Sequence, residues 1–282
     1  MMRTPRSLLG GLVALLHAAA PLAVAPVAVV SLAIAPLAIA PLAIAPSAAQ
    51  AAEESVTLPN ERWSFEGPLG AFDLAAAQRG FQVYSQVCSN CHSMQYMHFR
   101  MLSGIGLNPE QIKAVAATFT VPLGLNDEGQ PKEGPGLPSS QFRSPFPNAI
   151  AAAAANNGAV PPDLSLIVNA REGGPNYVYG ILTGYTNPPA GVTVADGTFY
   201  NRVFPGHQIK MPQPLQDGTV TYTDGTPNNL NQEAHDVVTF LSWAANPEIV
   251  ERKQMGVKAI LFLLFMTGVT YAVKRKVWSD VH

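Results

Sequence analysis

The chain has 282 residues, room for one sizeable domain with membrane segments beside it. Hydrophobic residues make up 48% and charged residues only 13%, and the apolar excess is concentrated in residues 1–52 and from about 256 to 273. Between these two regions lie 11 basic and 18 acidic residues, a net charge of −7, which argues against nucleic-acid binding and suits electrostatic attraction of a basic protein.

The chain opens like an export signal. Arg3 and Arg6 give a positive start, Leu8 to Leu16 an apolar core, and Ala49-Gln50-Ala51 an A-x-A cleavage site. Leu-Ala-Ile-Ala-Pro recurs three times from Leu32 to Pro46, and a proline every five residues argues against one continuous membrane helix. The expected division is a cleaved signal over 1–51, an exported domain over 52–250, and an anchor with a short tail over 251–282.

A loop over 53–72 precedes a helix with Asp73 as its N-cap. Phe81, Tyr84, Cys88 and Cys91 follow at spacings of three, four and three, one face of a helix. Gly80 marks a close approach of another helix. Cys88-Ser89-Asn90-Cys91-His92 is a C-x-x-C-H motif, the attachment signature of a c-type haem. Two thiols about one turn apart can add to the two vinyl groups of one porphyrin edge, and the next residue, His92, is then placed as the proximal iron ligand. These are the only two cysteines, so the motif accounts for one covalently bound haem c and leaves none for a disulfide. The competing reading is a thiol–disulfide oxidoreductase using Cys88 and Cys91, which needs an alternation of strands and helices that the pattern lacks.

Short helices are expected over about 92–100 and 109–118, then a long Pro- and Gly-rich loop over 120–148. A helix is expected between Asn148 and Asn156, a rigid turn at Pro161-Pro162-Asp163-Leu164, and a helix from Tyr177 to Tyr185. Short strands or loops fill 187–230, with an alternating stretch from Thr219 to Thr223. Asn231 caps a helix whose Val237, Phe240, Leu241 and Ala244 share one face. Asn246-Pro247 breaks it. A second helix from about Glu248 enters a bilayer, since Ala259 to Val273 carry no charge and Lys274-Arg275-Lys276 stops the run.

A second axial ligand must come from elsewhere in the chain. Met94, Met97 and Met101 follow His92 too closely to reach the opposite haem face, and His235 reads as a surface residue. Met211 lies between prolines that stiffen its loop, and a thioether opposite histidine suits an electron carrier. Pattern alone leaves His207 as the rival.

Trp63-Ser64-Phe65-Glu66-Gly67, Cys88 through Met94, Asn156-Asn157-Gly158-Ala159, Pro161 through Ser165, Arg171-Glu172-Gly173-Gly174, Leu182-Thr183-Gly184-Tyr185, Phe204-Pro205-Gly206 and Asp236-Val237-Val238, in that order and followed by one C-terminal span, resemble the cytochrome c1 family. Members of that family are the haem-c subunits of the cytochrome bc1 complex. The resemblance implies a mainly α fold: a class-I-like cytochrome c haem domain with long loops and a short β-ribbon, plus one C-terminal transmembrane helix. It also implies thioether links at Cys88 and Cys91, His92 and Met211 as axial ligands, Arg171 paired with a haem propionate, Tyr177 beside the haem, and Pro162 lining the proximal side. The implied partners are cytochrome b, the Rieske iron–sulfur protein, a soluble cytochrome c and membrane lipid. The implied function is electron transfer within a quinol–cytochrome c oxidoreductase of a bacterial inner membrane, with the haem domain in the periplasm. A free-standing membrane-anchored cytochrome c is the alternative. Some bacterial members carry an extra cysteine pair that steadies the distal loop; this chain has none.

Overall fold

The structure, a computed structural model, describes residues 56–281; the expected signal over 1–51 lies outside them. Helix α1, Leu74–Gln86, starts where expected, with the Asp73 carboxylate accepting from the amides of Ala75 and Ala76. It packs along α5, Leu230–Ala245, and this pair forms the centre of the core. Gly80 allows the approach. A Cβ there would lie 2.0 Å from the Asp236 carbonyl oxygen and 2.7 Å from the Phe240 Cβ. A second tie crosses the same interface. The Arg79 guanidinium meets the fully buried Asp236 carboxylate in a two-bond fork at 2.8 and 3.0 Å, and reaches Asp224 at 3.0 Å.

Val237, Phe240, Leu241 and Ala244 are all buried, as their spacing predicts. The cap of α5 is Asn229, whose side chain accepts from the Gln232 amide; the expected cap, Asn231, lies inside the helix. His235 is half-buried and stacks on Trp63 at a ring separation of 4.8 Å, so it is not the free surface residue expected.

Helix α2, Pro109–Ala117, opens on a reciprocal capping pair between Asn108 and Gln111. The stretch expected as a loop over 120–148 contains an antiparallel hairpin, β1 (Thr120–Leu125) with β2 (Pro131–Pro135). Its strands are mostly exposed and carry Pro and Gly, which hid them from an alternation test. Helix α3, Ala149–Ala155, is capped by Asn148. Helix α4, Gly174–Thr183, packs on α5. A second small ribbon pairs β3 (Phe199–Tyr200) with β4 (Gln208–Ile209). The fold is mainly helical, as expected, with two short ribbons among the described residues.

The long helix α6, Ile249–Val277, begins just past Asn246-Pro247 and is long and apolar enough to cross a membrane. Its last turn holds Lys274, Arg275 and Lys276, which suits the negative end of the helix dipole. In its second turn the Lys253 ammonium donates to the carbonyl oxygens of Phe65 and Gly70, tying α6 to the loop before α1. At the α5–α6 corner the side-chain amides of Asn169 and Asn246 bond to each other, with separations of 3.0 and 3.2 Å.

Candidate haem-binding site

The α-helical path of α1 stops at Gln86, short of the motif. Cys88–Asn90 forms a 3-10 turn, and the Cys91 and His92 amides both donate to the Cys88 carbonyl oxygen. The expected stripe therefore follows the α-helix only as far as Tyr84. The turn tightens after it and carries Cys88 half-buried against the core and Cys91 exposed. Both thiols are free of a disulfide. Burial pushes the Cys88 thiol up to about 12, against the pull of a backbone hydrogen bond. A thiol–disulfide catalyst needs the opposite, a cysteine with a depressed pKa.

His92 Nδ1 lies 2.8 Å from the carbonyl oxygen of Pro162, which fixes the ring's orientation and makes Nδ1 the protonated nitrogen. Burial holds this imidazole below its ordinary pKa, opposed by that carbonyl and by Asp163. A neutral ring with Nδ1 engaged leaves Nε2 as the basic atom, which is what an iron ligand requires. The Pro162 carbonyl is itself held. The Asp163 carboxylate accepts from Ser93 Oγ at 2.7 Å, the Gln95 amide at 2.8 Å and the Ser165 amide at 2.9 Å. The Leu164 amide donates to the Ser93 carbonyl at 2.8 Å. Asp163 was not singled out from sequence, because an acid after two prolines reads as an ordinary turn residue.

A second group gathers around α4. Tyr177, Tyr185 and Met211 pack with Ile181, Val203 and Ile209 in a small apolar cluster. Arg171 is exposed, makes no salt bridge among the described residues, and donates to the Ala170 carbonyl oxygen. It pulls the Tyr177 phenol downward while burial pushes it up more strongly. Helix α4 links the two groups: its Tyr179 and Leu182 belong to the main core with Tyr84 and Leu164, while Ile181 and Tyr177 belong to the small cluster.

His207, the rival to Met211, stands at a positive φ of 56° after Gly206, stacks on Tyr200, and has Nδ1 3.2 Å from the Asn201 carbonyl oxygen. Met94 and Met97 are fully buried in the core, as expected of methionines so close to His92. Sequence reading also missed Asn201. It is completely buried, donates to the Ile181 carbonyl and accepts from the Val203 and Phe204 amides, and so braces the loop toward Met211. Its only sequence signal is an asparagine in the largely aromatic stretch Phe199-Tyr200-Asn201-Arg202-Val203-Phe204.

The donor set fits a haem: two unpaired thiols, an imidazole with one nitrogen already engaged, a thioether in an apolar cluster, and a guanidinium with no carboxylate partner among the described residues. Comparison with known proteins agrees. The Cytochrome C1 family model matches residues 63–281. The chain is 44% identical to cytochrome c1 of Rhodospirillum rubrum, covering 83% of this chain and 92% of that one. It is 47% identical to a mitochondrial cytochrome c1 heme protein of Solanum tuberosum, covering 83% and 90%. It is 45% identical to the cytochrome b/c1 protein of Bradyrhizobium diazoefficiens, of whose greater length it spans 37%. The chain belongs to the cytochrome c1 family.

Proposed function

We propose that this chain carries one covalently bound haem c and moves single electrons from the Rieske iron–sulfur protein to a soluble c-type cytochrome, as a subunit of a quinol–cytochrome c oxidoreductase. The observation that carries the reading is the His92–Pro162 contact, directly after a pair of free thiols. Bound haem supplies an iron that changes by one electron without bonding a substrate. The chain's own residues do the rest. Cys88 and Cys91 would hold the haem through thioether links, His92 and Met211 would supply its iron donors, and the Pro162 carbonyl keeps His92 oriented. Arg171 offers a charged partner for a propionate, and Tyr177 an aromatic wall with a hydroxyl. A soft thioether favours the reduced iron and so raises the potential.

Cytochrome b is the partner within the membrane, and α6 is the anchor among lipid. The haem domain faces the periplasm of a bacterial inner membrane, with the tail after Lys274 in the cytoplasm. The export signal expected over 1–51 supports this direction; the flanking charge does not favour either side, since Arg252, Lys253 and Lys258 balance Lys274, Arg275 and Lys276. The net charge of −7 on the domain supports steering of a basic carrier, with no role for nucleic acid. Neither a thiol–disulfide oxidoreductase nor a free-standing cytochrome draws support from the relatives, and the described strands form only antiparallel ribbons.

A reduced-minus-oxidised spectrum of the gently solubilised protein tests the assembly. Both b- and c-type bands are expected, whereas a c-type band alone would favour a free-standing cytochrome. Association with the soluble carrier is expected to slow as salt rises; a salt-independent rate would reject steering.

A further inference from the structure

Met211 is asked to hold a fixed position without a disulfide and without a helix under it. Its backbone is restrained on both sides. Two residues before it, Ile209 is buried and belongs to β4, paired with β3. After it, Pro212 limits Met211 to extended conformations, and Leu215, fully buried, pins the chain again. What remains is the Met211 carbonyl oxygen, which needs a hydrogen-bond partner of its own. Met211 lies past the end of β4, so its carbonyl takes no partner from the β3–β4 ribbon.

That partner is Tyr185, whose hydroxyl donates to the Met211 carbonyl oxygen at 2.9 Å. Tyr185 is itself well fixed. It follows α4 and Gly184, forms an antiparallel bridge with Asn201, and the Gly184 carbonyl next to it accepts from the Arg202 amide at 2.9 Å. Its ring packs in the same apolar cluster as Met211 and Tyr177. Force applied at Met211 is therefore passed through one hydrogen bond to α4, and from α4 to α5.

We propose that Tyr185 is a positioning residue for the distal axial ligand: its hydroxyl holds the Met211 carbonyl so that the thioether keeps its place at the iron. The inference rests on the reading of Met211 as that ligand. It concerns the ease with which the thioether leaves, not the identity of the donor.

The test uses the full chain, solubilised with its bound subunits, in the ferric state. Imidazole is the probe, since it binds ferric haem only after the thioether has left. Tyr185→Phe keeps the ring and removes the hydroxyl. One neutral hydrogen bond corresponds to about a fivefold change in an equilibrium, so imidazole should bind about fivefold more tightly. The methionine–iron charge-transfer band should also fade at a lower temperature. In a Met211→Leu background, Tyr185→Phe should leave imidazole affinity unchanged, because the ligand it positions is gone. An equal rise in both backgrounds would mean that Tyr185 only guards access, and would overturn the proposal. So would unchanged affinity and an unchanged band in Tyr185→Phe. If Met211→Leu itself binds imidazole as the parent does, the fault lies with the ligand assignment instead.

Discussion

His92 and Met211 are held by different means. His92 follows a helix whose partner crosses it at van der Waals distance, and a carboxylate fastens the segment that reaches its ring. Met211 lies in a stretch from Tyr185 to Asn229 whose regular structure is a two-residue ribbon and a 3-10 turn. There the restraints are prolines, one buried asparagine and one tyrosine hydroxyl. The first support is cooperative, because losing part of it disturbs the α1–α5 core. The second is assembled from single contacts, each of which can be weakened alone. On the proposed reading, a carrier that attaches its haem once and keeps it, yet has its potential adjusted, gains from such a division.

The comparison predicts a graded set of effects. His92→Ala should abolish mature cytochrome, read as loss of the c-type band; normal haem incorporation would undo the proximal assignment. Arg79→Met should leave Asp236 buried and without its ion pair, at a cost of about 3 kcal/mol in denaturant unfolding. A cost near zero would mean that α1 and α5 do not act as one unit. Met211→Leu should retain covalent haem but lower the potential by on the order of 0.1 V, within the roughly 0.8 V range that axial ligands span. An unchanged potential would move the distal ligand elsewhere.

The smallest effect is a pH slope. Glu233 is fully buried on α5, accepts from the Val220 amide, and burial raises its pKa above the ordinary 4.5. The folded state therefore binds this proton more tightly than the unfolded chain does. Its unfavourable contribution is absent below the unfolded pKa and grows as pH rises from about 4.5 through the higher folded value. Glu233→Gln should flatten that part of the stability curve. An identical pH profile in the variant would assign the slope to another group.

Much of the helical side was legible in the sequence. Asp73, Gly80, Asn148 and the break at Asn246-Pro247 all act as their residue types suggest, because caps and close approaches are local matters. The loop side was not. Thr219 to Thr223 alternates, and Val220 and Tyr222 are indeed buried. No strand forms, because the backbone partners are side chains: Glu233 for the Val220 amide and Gln82 for the Thr221 carbonyl. Alternation reports which side faces the core, not what the backbone bonds to. The prolines around Met211 single it out beside its rival His207, but the tyrosine whose hydroxyl bonds its carbonyl lies 26 residues away.

The Lys253 ammonium has a mechanical consequence. A domain joined to its membrane helix by a single backbone crossing would swivel like a tag on a string. Here α6 meets the domain twice, through the chain at Pro247 and through Lys253 on the carbonyls of Phe65 and Gly70. Lys253 lies six residues before Ala259, about 9 Å along the helix axis from the start of the charge-free run. On the proposed membrane placement, the helix and domain form a bracket at the lipid surface. A protein exchanging electrons with this chain meets a station that stays put, so the travelling falls to the visitor.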